Sequence, residues 1–267
     1  MNPALWLIFG GLVILVGFMW WHGWRRARRR AALRSQRLSE ADRATLARVF
    51  PLWERVPPTI QDKVEGLIHV FCDEKVFVAC GGLGEITREM KLAVAGPACL
   101  LIAHRTRDDY RGLRSVLIYP DAYRVRDEWG DEDVRLGESW SSGSVVLSWQ
   151  SVRQGSANEE DGLNVVMHEF AHQLDQDDGA ADGVPNLDDS EDYGLWSQAF
   201  APAYESFCER VEAGKRTVLD DYGAHNPAEF FAVATETFFE RPRAMKREEP
   251  EVYAQLMRFY QMDPETW

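Results

Sequence analysis

The chain has 267 residues, of which 45% are hydrophobic, and its formal net charge is -13 at pH 7. This length suffices for one sizeable core or two small lobes, and so acidic a composition argues against nucleic acid as the main ligand. The cysteines, at positions 72, 80, 99 and 208, show no C-x-x-C spacing. The sequence therefore indicates neither a zinc ribbon nor a redox motif, and reduced thiols are the simplest interpretation.

The first element in chain order is an uncharged apolar run, ALWLIFGGLVILVGFMWW, at residues 4–21. As a helix it would be about 27 Å long, close to the ~30 Å hydrocarbon core of a bilayer. Trp20, Trp21 and Trp24 cluster at one end, where aromatic rings favour the membrane interface. We therefore expect a transmembrane anchor in residues 1–24. The alternatives are a cleaved signal peptide and a buried core helix.

A basic segment follows at residues 25–38, with seven arginines and no acidic residue. We expect a solvated juxtamembrane flank, because such clusters lie beside membrane helices and attract anionic lipid. Positive charge accumulates on the cytoplasmic side of membrane helices. This order predicts a single-pass protein whose body, residues 39–267, lies in the cytoplasm; a cytoplasmic protein without an anchor is the alternative.

The pattern of residues 39–267 predicts an α+β fold, in which a small mixed sheet precedes a helical half. Strands are predicted at 115–120 (SVLIYP) and 144–149 (SVVLSW), and the polar segment 121–142 indicates turns. Residues 86–105 predict helices that are broken at Gly96-Pro97. The other helices are predicted at about residues 38–50, 162–176, 195–213, 226–240 and 249–262.

A short metal motif, His-Glu-x-x-His, lies within VVMHEFAHQLDQDDG at His168, Glu169 and His172. Residues four apart in a helix lie one turn apart on one face, so both imidazoles can converge on one tetrahedral zinc ion. Glu169 would then hold the attacking water and take its proton. The alternative is a helix that carries two unrelated histidines, since the motif also occurs by chance.

A third metal ligand is expected from elsewhere, because hydrolytic zinc sites commonly have three protein ligands and one open position. The predicted helix NPAEFFAVATETFFE carries Glu229 and Glu236, seven residues apart and therefore near one face. A carboxylate on an apolar helix face is costly to bury without a partner, which a metal would supply. His225 is a rival ligand just upstream. Spacing alone does not decide between the two glutamates.

The segments HEFAHQLD and NPAEFFAVATETFF, with GESW and VVLSW between residues 137 and 149, closely resemble the Mlc titration factor A family of zinc metallopeptidases. The resemblance runs from about Ser39 to the C-terminus, and the catalytic domain of anthrax lethal factor is similar. It implies a zincin-like metallopeptidase domain. It also implies Glu229, which opens a Glu-x-Phe-Ala segment, as the third ligand, and Tyr222, seven residues earlier, as a catalytic residue.

The roles of two further acidic residues follow from these assignments. With Glu229 on the metal, Glu236 is expected to orient a ligand or a neighbouring backbone group. Asp175 lies about one turn after His172 and is expected either to orient an imidazole or to lie in a solvated acidic turn. The strand at 144–149 is predicted to pair with an extended substrate, with an ordinary core strand as the alternative.

The resemblance implies a peptidase that uses Zn2+ and hydrolyses a peptide or protein substrate, with aminopeptidase activity. The family name records titration of the repressor Mlc, so a protein that sequesters a repressor-type partner is the second hypothesis, with zinc incidental. The best-known member of that family is soluble and cytosolic, whereas this sequence begins with an apolar run. We therefore expect the bacterial inner membrane, with the catalytic domain on the cytoplasmic side.

Overall fold

The structure is a computed structural model that describes residues 3–105, 109–121, 123–126, 132–135, 137–140, 143–155, 157–158, 160–187 and 190–267. It describes only the backbone of residues 3–10, 13, 123–126, 132–135, 137–140 and 191. The helices in these ranges are α1 (Pro3–Arg34), α2 (Glu40–Val49), α3 (Pro58–Glu74), α4 (Arg88–Leu101), α5 (Trp149–Gly155), α6 (Val165–Asp175), α7 (Ser190–Glu212), α8 (Pro227–Glu240), α9 (Pro242–Glu248) and α10 (Pro250–Tyr260).

The strands form one mixed sheet and one separate hairpin, which confirms the predicted α+β class. They are β1 (Val76–Ala79), β2 (Ser115–Tyr119), β3 (Tyr123–Arg126), β4 (Glu132–Arg135), β5 (Gly137–Trp140) and β6 (Ser144–Ser148). The sheet has the order β1-β2-β6-β5, in which β5 alone is antiparallel, and β3 pairs with β4. Three strands therefore form in the segment 121–142, where the composition indicated turns.

Strand β6 is internal to the sheet. It pairs in parallel with β2, where Val145 lies opposite Val116, and in antiparallel with β5 on its other side. Both rows of its backbone hydrogen-bonding groups are therefore used within the protein. The prediction that residues 144–149 pair with a substrate is wrong, since only an edge strand has free groups to offer.

Helix α4 continues through Gly96 and Pro97, so the predicted break is also wrong. A proline inside a helix removes one backbone hydrogen bond and costs about 3 kcal/mol. Here the residues from Leu92 to Leu101 are all buried, and Gly96 lies so close to Leu46 of α2 that a Cβ would meet the Leu46 side chain at 2.6 Å. Packing on all sides of the helix outweighs the local preference for a break.

The N-terminal helix α1 is continuous from the apolar run into the basic segment. Its described apolar side chains between Leu12 and Trp24 are exposed. Across the described part of the chain, no helix has both the length and the apolar character needed to cross a membrane. Part of the predicted anchor, the side chains of residues 4–10 and 13, lies outside the described residues.

The basic end of α1 is docked on α3. Arg26 and Arg30 pair with Glu74 at 3.1 and 2.6 Å, and Arg29 pairs with Asp73. The Arg34 carbonyl lies against Gly66 of α3, where a Cβ would overlap it. The segment expected to be a solvated flank is therefore held against the body by acidic residues more than 40 positions away.

Candidate metal centre

Helix α6 begins at Val165 because the side chain of Asn164 caps it, accepting the N–H of Met167 at 3.1 Å. One face of the helix is apolar and completely buried. Phe170 on that face lies 5.0 Å from the Tyr110 ring and 5.6 Å from the Phe71 ring, measured between centroids. This packing fixes the rotation of α6 about its axis, so that the opposite face presents the histidines.

Helix α8 presents the glutamate. Asn226 caps the helix by accepting the N–H of Glu229 at 3.0 Å, and Pro227 occupies its first turn, where a proline is well tolerated. Phe230 and Phe231, the next two residues, are fully buried. Because neighbouring residues in a helix point in different directions, burial of these rings turns Glu229 toward α6.

Three ligand atoms converge between the two helices. Nε2 of His168 lies 2.9 Å from Oε2 of Glu229, Nε2 of His172 lies 3.2 Å from the same oxygen, and the two nitrogens are 3.2 Å apart. Two atoms that each lie 2.0–2.1 Å from a tetrahedral zinc ion are about 3.3 Å apart. In the described part of the chain, these three residues form the group that fits a metal ion.

The electrostatics of this group also suit a cation. Burial alone would lower the pKa of His168, but Glu236 and Glu229 outweigh it and raise that pKa well above its usual range. Burial alone would raise the pKa of Glu229, yet the hydrogen bonds with His168 and His172 hold it well below its usual range. The carboxylates are thus arranged to stabilise positive charge beside the imidazoles.

Glu236 contacts the far side of the His168 ring. Its Oε1 lies 2.8 Å from Nδ1 of His168, and its Oε2 accepts the backbone N–H of Asn164. Nε2, on the other side of the ring, faces Glu229 and His172. The structure thus places Glu236 in contact with one of the expected ligands.

Glu240, one turn further along α8, belongs to the same buried polar cluster and was missed by the sequence analysis. Its oxygens accept the N–H of Gly162 at 3.1 Å and the side-chain Nδ2–H of Asn164 at 3.0 Å. Burial, aided by the nearby charge of Glu236, raises its pKa to about 8. The available signal was its spacing of four from Glu236 directly after two phenylalanines.

Glu169 and Tyr222 lie on different elements, and each is close to His168. Glu169 follows His168 on α6 and is buried. Tyr222 lies on the 3-10 turn Asp221–Ala224 and is half exposed, with its ring centroid 5.8 Å from that of His168. The exposed His225 directs Nδ1 at the carbonyl of Tyr222, 2.7 Å away, and is not part of the group.

Asp175 lies at the end of α6, and one of the two expectations for it, a solvated acidic turn, is wrong. It is completely buried, and its Oδ2 accepts the N–H of Gly183 at 3.0 Å, so its hydrogen bond goes to the following loop. Burial raises its pKa to about 6, although His172 acts in the opposite direction. Asp175 therefore ties the loop after α6 to the end of the helix, and it does not lie in a solvated turn.

The chain is similar to several known proteins. The family model described as glucose-regulated metallo-peptidase M90 matches residues 21–261. The uncharacterized protein slr2042 of Synechocystis sp. is 35% identical over 270 residues, which cover 98% of this chain and 96% of that protein. Mlc titration factor A of Klebsiella pneumoniae is 33% identical over 229 residues, which cover 82% and 85%. Mlc titration factor A of Serratia proteamaculans is 30% identical over 229 residues, with 82% and 86% covered.

The family match extends over most of the chain and includes both helices that carry the ligand atoms. It confirms the resemblance to the Mlc titration factor A family, while the likeness to anthrax lethal factor stays a prediction. A metallopeptidase family also implies a metal, which the group of His168, His172 and Glu229 fits. The chain belongs to the glucose-regulated metallopeptidase M90 family.

Proposed function

We propose that the chain is a zinc-dependent peptidase in which His168, His172 and Glu229 bind the ion. The observation that carries this proposal is the convergence of two imidazole nitrogens and one carboxylate oxygen within 3.2 Å of one another. Two histidines and one carboxylate form a common ligand set of hydrolytic zinc sites, and they leave a fourth position open. Glu236 would keep His168 in the tautomer that can bind the metal.

The residues around this set can perform peptide hydrolysis. A zinc ion bound there would polarise the scissile carbonyl and lower the pKa of its bound water toward about 7. Glu169 accepts a proton from the attacking water and passes it to the leaving nitrogen. Tyr222 donates a hydrogen bond to the oxyanion that develops on the substrate. Its half-exposed position leaves room for a substrate beside it.

We place the substrate on strand β5, Gly137–Trp140, in place of β6. In the described sheet β5 has no neighbour on its outer side, and it packs against α6. An extended peptide could therefore add to this edge by backbone hydrogen bonds while its scissile bond lies over the histidines. We further propose aminopeptidase activity, for which an unblocked peptide should be the better substrate.

The test compares the full-length protein in mild detergent with its Glu169→Gln variant. Elemental analysis should find about one zinc ion per chain in both proteins. Hydrolysis of unblocked and N-blocked peptides should fall by about 10²–10⁴ in the variant, because the general base is removed. A wild-type protein without zinc, or equal hydrolysis rates in the two proteins, would contradict the proposal.

We also propose that the apolar half of α1 anchors the protein in the bacterial inner membrane, with the catalytic domain in the cytoplasm. The exposed apolar side chains and the tryptophans that precede the arginines support this arrangement. Lysines in place of Ile14 and Val16 should release the protein from membranes in carbonate extraction. Val76→Lys, at an exposed position of β1, serves as the control and should leave it bound. Release of the wild-type protein would contradict the anchor.

Partner sequestration is the second candidate function, and the relatives named Mlc titration factor A favour it. In that case the chain would hold a repressor-type protein, and the zinc would be incidental. Glu169→Gln separates the two functions, since a peptidase loses turnover while a sequestering protein keeps its partner. Equal partner binding by both proteins, without hydrolysis by either, would favour sequestration.

A further inference from the structure

The carboxylates of Glu236 and Glu240, near the end of α8, both accept hydrogen bonds from the residues that precede α6. Glu240 accepts the N–H of Gly162 and the side-chain Nδ2–H of Asn164, at 3.1 and 3.0 Å. Glu236 accepts the backbone N–H of Asn164 with one oxygen and contacts His168 Nδ1 with the other, at 2.8 Å. A continuous series of contacts thus runs from Glu240 through Asn164 and Glu236 to the imidazole.

The burial of these groups shows that they are part of the core. Glu240, Asn164 and Glu236 are 3%, 2% and 4% exposed. Burying two carboxylates one helical turn apart is unfavourable, and apolar side chains could fill the same volume. The carboxylates instead fix the positions of their hydrogen-bond partners, because each oxygen faces a particular donor in the segment 162–164 or on His168.

Asn164 controls His168 by a second route. Its side chain caps α6, and its carbonyl accepts the backbone N–H of His168 at 2.9 Å, so it sets where the first turn of the helix begins. A shift of Asn164 would therefore move the backbone of His168 and, through Glu236, the ring as well. Glu240 is the side chain that holds the Asn164 amide in place.

We propose that Asn164 and Glu240 are positioning residues that set the His168 imidazole for metal binding, both through Glu236 and through the first turn of α6. This role rests on the proposed zinc site. Neither side chain is placed on the metal or the substrate, so the effect of replacing them should appear first in zinc affinity. Removing a hydrogen-bond partner of a metal-binding histidine typically weakens binding about 10–100-fold, and these residues lie one step further away.

The test measures zinc affinity of the full-length protein in mild detergent by competition with a chromophoric chelator. Asn164→Ser keeps a capping side chain but removes the donor to Glu240, and Glu240→Ala removes both acceptors; each should weaken binding about 10-fold. Glu240→Gln keeps one acceptor and should lose less. The control is Thr87→Ala. Thr87 caps the distant α4 by accepting the N–H of Met90, so its loss should lower the stability of the protein without changing its zinc affinity.

A Glu236→Ala background tests the route. Because part of the Glu240 effect passes through Glu236, adding Glu240→Ala there should weaken zinc binding less than it does in the wild-type protein. Wild-type affinity in Asn164→Ser and Glu240→Ala, or an undiminished loss in the Glu236→Ala background, would overturn the positioning role alone. A wild-type protein that binds no zinc would overturn the proposed peptidase together with it.

Discussion

Replacing Glu240 with glutamine should remove a large part of the pH dependence of folding stability. Burial and the charge of Glu236 raise the pKa of Glu240 from 4.5 to about 8 in the folded protein. Between these two pH values the folded state binds more protons at this site than the unfolded state does. The free energy of unfolding therefore falls as pH rises from 4.5 to 8, and the loss is complete above 8.

The magnitude follows from the size of the shift. Each pKa unit corresponds to about 1.36 kcal/mol, so a shift from 4.5 to about 8 represents a loss on the order of 5 kcal/mol across the window. Small domains are stable by about 5–15 kcal/mol, so this one group is a large fraction of the total. Glutamine does not ionise, so the variant should not lose this free energy of unfolding at alkaline pH.

Chemical unfolding of the zinc-free protein, followed by tryptophan fluorescence at pH values from 5 to 9, measures the effect. Zinc is removed because its binding has a pH dependence of its own. All other titratable groups are present in both proteins, so the difference between wild type and Glu240→Gln isolates Glu240. The variant should gain stability relative to wild type as pH rises. A constant difference across this range would refute the reasoning.

Three further outcomes are expected. Gly183→Ala should lower the free energy of unfolding by about 1–3 kcal/mol and weaken zinc binding, because φ is +79° and a Cβ would overlap the start of α8. Gly179 is the control: φ is +96° but nothing lies within 4 Å of a Cβ there, so alanine should add backbone strain and leave zinc binding unchanged. Tyr222→Phe should reduce kcat about 10²–10³-fold with zinc content unchanged, whereas an unchanged kcat would exclude the oxyanion role. The double variant Asp73→Asn, Glu74→Gln should be cut by trypsin at the α1 arginines faster than the wild-type protein in limited digestion. An unchanged rate of cutting would show that these ion pairs do not hold α1 in place.

The candidate site was predictable where it depends on local geometry. His168 and His172 lie four apart, and an amphipathic helix of that length places such a pair on one face whatever surrounds it. The strands at 115–120 and 144–149 were predictable for the same reason, since alternation and β-branching are local properties. Which strand lies at the edge was not, because the order β1-β2-β6-β5 depends on pairing between segments far apart in sequence.

Tertiary packing decided the remaining features. Glu229 and Glu236 have the same residue type on the same helix, and only the packing of α8 against α6 places one beside both Nε2 atoms and the other at Nδ1. Pro97 continues a helix because buried contacts outweigh one lost hydrogen bond. The sequence by itself determined the strands at 115–120 and 144–149, the helix that carries the histidine pair and the helix that carries Glu229, since these follow from neighbours a few residues apart. The third ligand atom, the docked arginines and the Glu240 contacts required the folded chain, because their partners lie 44 to 78 residues away.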